Sequence, residues 1–273
     1  MIEEEHILSL ESLVVEYRPR RWFSTGKVSV KAVRGVSFSL PKGSILGIVG
    51  ESGGGKSTVL KAICKFIPVK RGRIFIGGVD VTRLSPKRFF PFRKKIQIIP
   101  QDFCDTFNPR MSVGKILAEP LGIHFPLLTA REKRARIIDL LESVEMDVSL
   151  LDRLPMELSG GQRQRLSIAR SLAVNPEVLI CDEIVSGCDL FVQKQILALL
   201  TALNREKKIA ILFVSHNIAV VAHFCHNIIV MRDGIVVELG SPAEICTSPK
   251  HTYTQLLIDS VPRVALLPGK IAV

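Results

Sequence analysis

The segment Gly50–Thr58 reads GESGGGKST and fits the spacing G-x-x-x-x-G-K-[ST] through Gly50, Gly55, Lys56 and Ser57. These residue types at this spacing suit one kind of ligand, a polyphosphate. Glycine at Gly50, Gly53, Gly54 and Gly55 lets the backbone fold tightly round an anion, with N–H groups turned towards its oxygens. Glu51 and Ser52 complete the loop and Thr58 closes the motif. The Lys56 ammonium can reach the β and γ phosphates, and the Ser57 hydroxyl can ligate Mg²⁺. The apolar run SILGIVG before the loop has strand length, and STVLKAICKF after it has helical period. The loop is therefore expected at the positive end of a helix. A glycine-rich surface turn would need none of that flanking order.

Two further segments carry chemistry. VLICDE, Val178–Glu183, is an apolar strand ending in two carboxylates. Alone it reads as an ordinary strand end. Beside a phosphate loop such a strand supplies an aspartate for Mg²⁺, which suits Asp182. Glu183, one residue on, could polarise water for attack on the γ phosphate. LSGGQRQRLSIARSLA, Leu158–Ala173, is more specific. Ser159 with Gln162 three residues later has the form of a capping box, and Gly160 and Gly161 keep the helix end clear of side chains. A bare, positive helix end with a hydroxyl is a second anion site. The phosphate loop already has its own helix to hold a nucleotide, so the second helix end is expected to face the nucleotide of another molecule.

These residues need strands and helices to hold them. Ile7 to about Ile99 reads mostly as strands (HILSLESLVVEY, GVSFSL, ILGIVG, RIFIGG, KKIQIIPQD), with one helix after the phosphate loop. From Val113 to about Val174 the period is helical, and Thr129 with Glu132 forms a capping box opening AREKRARIIDLLESVEM. Strand character returns at VLICDE, followed by a helix from Leu190 to about Arg205 capped by Asp189. IAILFVSH reads as a strand, NIAVVAHFCH as a helix, and NIIVMRDGIVVELG as two strands round an Asp233-Gly234 turn. Short apolar strands alternating with helices predict a mainly parallel α/β core. PRVALLPGKIAV has no periodicity and is expected to be a loose tail.

Composition narrows the class. The 273 residues suit one nucleotide-binding domain with an inserted helical subdomain, and 47% hydrophobic residues suffice for a sizeable core. No run approaches the roughly 20 apolar residues of a membrane span. MIEEEHILSL lacks the basic-then-apolar order of a secretory signal, so a soluble, cytosolic chain is expected. Cys64, Cys104, Cys181, Cys188, Cys225 and Cys246 form no C-x-x-C pair, which indicates neither a zinc site nor a disulfide framework.

GESGGGKST, LSGGQ and LICDE in this order and spacing resemble the ATPase subunit of an ABC transporter. The resemblance implies an α/β fold, a P-loop NTPase core of mainly parallel sheet with an N-terminal antiparallel β region and an inserted α-helical subdomain. It implies one domain over residues 1–273, with the β region and phosphate-loop core at 1–104 and the helical subdomain with the signature motif at 105–174. The rest of the α/β core would occupy 175–245, and an importer-type C-terminal extension 246–273. It also implies a head-to-tail pair of such subunits, with ATP between the phosphate loop of one and Ser159, Gly160, Gly161 and Gln162 of the other. Gln101 matches the glutamine that touches Mg²⁺ and the attacking water, and His216 the switch histidine near the γ phosphate. Asp189 matches the aspartate of the loop that crosses the dimer interface. Glu183, His216 and Gln101 are then the catalytic set, and Ser57, Gln101 and Asp182 the metal set. Tyr17 would stack on adenine, with Trp22 and Phe23 as alternatives.

QDFCDTFNPRMSVGKILAEPL, PMELSGGQRQRLSIARSLAVNPEVLICDE and SPKHTYTQLLIDSVP are similar to the oligopeptide/dipeptide (and nickel) importer branch. The similarity covers about Ile7 to Pro262. It implies a peripheral subunit at the cytoplasmic face of the inner membrane, with ATP and Mg²⁺ as cofactors. Its partners would be a second ABC ATPase subunit, as a homo- or heterodimer, and two membrane permease subunits met through residues 105–121. An extracytoplasmic solute-binding protein would act through the permease. Oligopeptides or dipeptides are the expected cargo, with nickel or a metal chelate as an alternative. A non-transport ABC ATPase acting on nucleic acid or ribosomes is a further alternative. The net charge of +11 is spread over Arg18–Lys31, Lys65–Arg73, Lys87–Lys95 and Arg131–Arg136, which suits a surface near lipid headgroups or permease loops. No nucleic-acid partner is expected.

The chain departs from the family pattern in places. Ile184 stands where proline is usual, Ser186-Gly187-Cys188-Asp189 where Ser-Ala-Leu-Asp is usual, and Asn217 where aspartate is usual. Gly187 adds backbone freedom to the interface loop, and Asn217 removes a charge beside His216. A regulatory subunit with a silent ATP site is the reading these changes would support. Every group matched to phosphate, metal or water is nonetheless present, which predicts an active ATPase. Many members of the branch carry a C-terminal cysteine cluster for an iron–sulfur centre; none is predicted here.

Overall fold

A computed structural model describes residues 6–17 and 29–260. In chain order it shows β1 (His6–Tyr17), β2 (Val30–Pro41), β3 (Ile45–Val49), α1 (Lys56–Ile63), β4 (Arg71–Ile76), β5 (Val79–Asp80), α2 (Pro86–Lys95) and β6 (Ile96–Ile99). Next come α3 (Val113–His124), α4 (Ala130–Ser143), α5 (Gly160–Leu172), β7 (Val178–Asp182) and α6 (Leu190–Lys207). The order ends with β8 (Ala210–Ser215), α7 (Ile218–Phe224), β9 (Asn227–Arg232), β10 (Ile235–Gly240), α8 (Pro242–Thr247) and α9 (Thr252–Asp259). The described residues form two compact units, one up to Phe89 and from Ala210 onwards, the other Phe90–Ile209.

In the first unit β2, β1, β4 and β5 pair antiparallel in that order. The alternation along β1 buries Leu8, Leu10, Leu13 and Val15 on one side. β3 lies between β8 and β9 and is parallel to both, and β10 returns antiparallel to β9. Every residue of β3 and β8 is buried, as strands covered on both faces require. Val49 is level with Ser215, so the residues that follow these two strands emerge side by side. The Asp233-Gly234 turn has both residues at positive φ, 50° and 79°, which suits the right-handed twist of the hairpin.

In the second unit β6 and β7 are parallel, with Ile99 level with Cys181. Both expected capping boxes are present, at Thr129–Glu132 and Ser159–Gln162. The helical pattern from Val113 and the Asp189 cap are found as expected. The stretch before Ile99 differs: it contains a second helix, α2, as well as the one after the phosphate loop. Two prolines, Pro86 and Pro91, and a basic run conceal its period, and Phe89 is the one residue it buries. Pro86 sits at the first turn, where a missing N–H costs nothing. α4 stops at Ser143 because Glu145 turns to φ 53° and the Met146 N–H bonds back to Leu141. The segment 262–273, read as a loose tail, lies outside the described residues.

Candidate active site

The phosphate loop leaves β3 through a backbone that excludes side chains. Gly50 has φ 154°, and a Cβ there would stand 2.0 Å from the Met231 carbonyl oxygen. Gly55 has φ 94°, and its Cβ would stand 2.5 Å from the Ala32 carbonyl oxygen. Bonds from Gly54 N–H to the Glu51 carbonyl (3.1 Å) and from Gly234 N–H to the Gly54 carbonyl (3.1 Å) fix the turn. Gly53, at φ 83°, faces open space.

Lys56 is buried, and its ammonium donates to the carbonyls of Gly50 (2.7 Å) and Glu51 (2.9 Å). α1 begins at Lys56 behind a Gly55 cap that offers no side-chain acceptor, and its first turn holds no carboxylate. An open glycine, an uncapped positive helix end and a lysine beside it are what a triphosphate requires. Tyr17, at the end of β1, places its hydroxyl 3.5 Å from Thr58 Oγ1 beside the first turn of α1. The alternatives Trp22 and Phe23 lie outside the described residues.

His216 follows β8 and is exposed at the level of Gly50. Its neighbour Asn217 caps α7, its Oδ1 accepting from the N–H groups of Ala219 (3.0 Å) and Val220 (3.4 Å). An amide oxygen caps a helix about as well as a carboxylate, so the change from aspartate leaves α7 its cap.

In the second unit the level ends of β6 and β7 place Gln101 and the Asp182-Glu183 pair at one edge. Asp182 is buried, and Glu183 is half-buried with φ 50°, a left-handed conformation rare outside glycine. The Ser186 N–H bonds to the Glu183 carbonyl (3.0 Å) and closes the turn that imposes it. Such strain costs on the order of 1 kcal/mol and persists where surroundings over-determine the backbone, often at functional sites. Burial and the Asp182 charge push the Cys181 thiol up, so it stays protonated and inert.

Ser159 Oγ accepts from the Gln162 N–H (3.2 Å), and Gln162 Oε1 accepts from the Ser159 N–H (2.9 Å). Gly160 has nothing within 4 Å of a Cβ position, and Gly161 would only touch Val192 at 3.6 Å. Asp189 Oδ1 accepts from the Val192 N–H at the start of α6 (2.9 Å).

Two residues that the sequence reading did not single out hold these loops. Gln164, 1% exposed, donates from Nε2 to the Ile184 carbonyl and accepts from Cys188 Sγ (3.3 Å). It therefore pins both ends of the loop between Glu183 and Asp189 to the signature helix α5. Its signal was the i, i+4, i+8 row it shares with the buried Ile168 and Leu172. The other is Tyr253, whose hydroxyl accepts from the Glu51 N–H (2.8 Å).

Residues 33–186 match the family model described as ABC transporter. The chain belongs to the ABC transporter ATP-binding family. Residues 237–268 match a second model, the C-terminal region of oligopeptide/dipeptide transporters. This ABC ATPase is 41% identical over 257 residues to a probable peptide ABC transporter ATP-binding protein, y4tS, of Sinorhizobium fredii, covering 94% of this chain and 72% of that protein. It is 40% identical to the oligopeptide transport ATP-binding protein OppF of Escherichia coli, over 89% of this chain and 73% of that one. Among solved structures it resembles the ATP-binding cassette MJ0796 in a dimeric post-hydrolysis state bound to ADP and Pi. The TM-score is 0.76 at 26% identity, over 86% of this chain and 98% of that one. It also resembles cbiO1 of Clostridium perfringens, part of the transporter complex cbiONQ, with TM-score 0.78 at 28% identity over 96% of this chain and 98% of that one. The fold is the α/β cassette that the motifs predicted, and the protein is a nucleotide-binding ATPase coupled to transport.

Proposed function

We propose that this ABC ATPase powers the import of oligopeptides or dipeptides through separate membrane permease subunits. The observation that carries the cargo class is the match of residues 237–268 to the importer C-terminal region, a segment that begins in β10 and contains α8 and α9. The subunit would sit at the cytoplasmic face of the membrane beside a second ATPase chain. Among the described residues no helix is long and apolar enough to cross a membrane, so permease subunits would supply the path, fed by an extracytoplasmic binding protein.

The phosphate loop, with Gly50, Gly53, Gly54, Gly55 and Lys56, would hold the ATP phosphates, and Tyr17 would cover the adenine. Ser57, Gln101 and Asp182 would hold Mg²⁺, which when bound neutralises charge developing on the phosphates. Glu183 would take the proton of the attacking water, and His216 would sense the γ phosphate. Ser159, Gly160, Gly161 and Gln162 would close on the nucleotide of the second ATPase chain, and Asp189 would meet that chain at the interface. Half-buried at the end of a buried strand, Glu183 is held in a fixed backbone conformation, as a general base must be.

The test is reconstitution of the chain with its partner ATPase, permease and binding protein in lipid vesicles. Short peptides should stimulate ATP hydrolysis and accumulate inside. Glu183→Gln should lower hydrolysis by roughly 10²–10⁴-fold, while ATP still binds and a closed dimer accumulates. Stimulation by a nickel chelate and not by peptide would replace the cargo. Unchanged turnover in Glu183→Gln would remove Glu183 from its role.

A further inference from the structure

The C-terminal segment reaches the phosphate loop. Glu238 on β10 accepts from the N–H groups of Lys250 (2.8 Å) and His251 (3.1 Å), which fixes the entry to α9. His251 Nδ1 caps that helix by accepting from the Tyr253 N–H (3.1 Å). Tyr253 is then 2% exposed, with the Arg232 guanidinium 4.9 Å from its ring centre. Its hydroxyl accepts the Glu51 N–H at 2.8 Å, a contact between residues 202 positions apart.

Glu51 is also where Lys56 is held. The Glu51 carbonyl accepts from Lys56 Nζ (2.9 Å) and from the Gly54 N–H (3.1 Å). One peptide residue therefore links Tyr253 on one side to the phosphate-binding lysine on the other. An N–H bonded to Tyr253 is not offered to the phosphates. Holding it also fixes the rotation of the planar Gly50–Glu51 peptide, and with it the Gly50 carbonyl, which accepts from Lys56 Nζ as well (2.7 Å).

We propose that Tyr253 is a positioning residue of the nucleotide site, acting on Lys56 through Glu51, so that the importer-type C-terminal segment sets the affinity for ATP. The proposal rests on the reading of Gly50–Thr58 as the nucleotide loop. Removing the hydroxyl leaves Glu51, which is exposed, to be solvated by water. The loop then samples other rotations of that peptide, and binding has to select among them.

Tyr253→Phe in the full chain keeps the buried ring and removes one oxygen. The dissociation constant of a fluorescent ATP analogue and the KM for ATP should both rise about 3–10-fold, the range expected for one hydrogen bond. kcat should stay within about twofold and the melting temperature of the nucleotide-free protein should barely move. A purely structural tyrosine would lower the melting temperature and leave KM alone, which overturns the proposal. Lys56→Ala weakens ATP binding by itself if the loop reading holds. Because Tyr253 acts through Lys56, the double variant Lys56→Ala with Tyr253→Phe should bind no worse than Lys56→Ala. Additive losses would overturn the coupling. Normal binding in Lys56→Ala would overturn the loop reading and this proposal with it, whereas an effect of Lys56→Ala with none of Tyr253→Phe sinks the proposal alone.

Discussion

Two glycine-bearing turns in this chain lead into helices, at Gly50–Gly55 and at Ser159–Gly161, and a side chain added at their glycines would meet opposite surroundings. At Gly50 and Gly55 a Cβ would collide with the chain's own carbonyl oxygens at 2.0 and 2.5 Å. At Gly160 a Cβ would meet nothing within 4 Å, and at Gly161 only an ordinary contact. The first turn needs glycine to fold. The second would fold with alanine, so the role proposed for Gly160 and Gly161 would have to come from outside this chain. The same contrast holds for anchoring. The first turn is tied to Gly234 and Tyr253. Beyond the second, the start of α6 leaves Leu190 at 58% and Phe191 at 70% exposed. One loop held by its own chain and another left open are what is expected of a chain that supplies two different halves of a shared site.

Substitution of the glycines breaks or sharpens that contrast, and the largest effect belongs to the first turn. Gly50→Ala combines a collision with a backbone conformation that L residues rarely adopt. Overpacking and strain together should cost roughly 2–6 kcal/mol, seen as a melting temperature lower by about 5–20 °C for a chain of this size. ATP binding should be lost with it. If Gly50→Ala melts normally, the first turn is not required by the fold.

Gly160→Ala should do the reverse. Alanine is better than glycine inside a helix by up to about 1 kcal/mol, so the melting temperature should hold or rise. Hydrolysis in the assembled transporter should nonetheless fall at least about tenfold, because a methyl group would stand where a nucleotide phosphate approaches a bare helix end. Nucleotide affinity of the isolated chain should not change. A loss of affinity in the isolated chain would place Gly160 in the chain's own site and remove the contrast.

The difference between these regions also explains what the sequence could reveal. The phosphate loop, LSGGQ and VLICDE are local patterns, and each sits on the element its flanks predicted, with both capping boxes closed. β1 runs over the residues read as a strand, His6–Tyr17. α2 is hidden because Pro91 and the basic run interrupt its apolar period, although Pro86 at its start is a favoured helix opener. Tyr253 and Gln164 were hidden for another reason. Each acts through a side chain bonded to a distant backbone group, and such a bond leaves no trace in local spacing. Only the fold shows that Tyr253 meets Glu51.

Gly187 tests the outward-facing region more gently. It has φ 75° and open space around it. Alanine would fit without contact but would pay for the left-handed backbone, about 1 kcal/mol. A melting temperature lower by about 2–4 °C is expected. A drop as large as that of Gly50→Ala would mean that Gly187 itself, and not only the pinned ends of the loop, is fixed by its own chain.

The smallest effect is expected at Cys188, which joins that loop to α5 by donating to Gln164 Oε1 (3.3 Å). Burial, and then the neighbouring Asp189 charge, push its thiol up from the ordinary range. A raised thiol pKa favours the neutral form in the folded state, so the S–H donor is fully present at neutral pH and is lost only as pH rises through that raised value. The bond is weak because sulfur is a poor donor. Cys188→Ala should therefore cost no more than about 1 kcal/mol, mostly from leaving a buried amide oxygen without this donor. Cys188→Ser restores a donor at the same place and should recover most of that loss. Cys188→Leu fills the space but supplies no donor, and should behave like the alanine variant in melting experiments. If the leucine variant were instead as stable as the wild type, the Cys188–Gln164 bond would be incidental, and Gln164 would hold this loop through the Ile184 carbonyl alone.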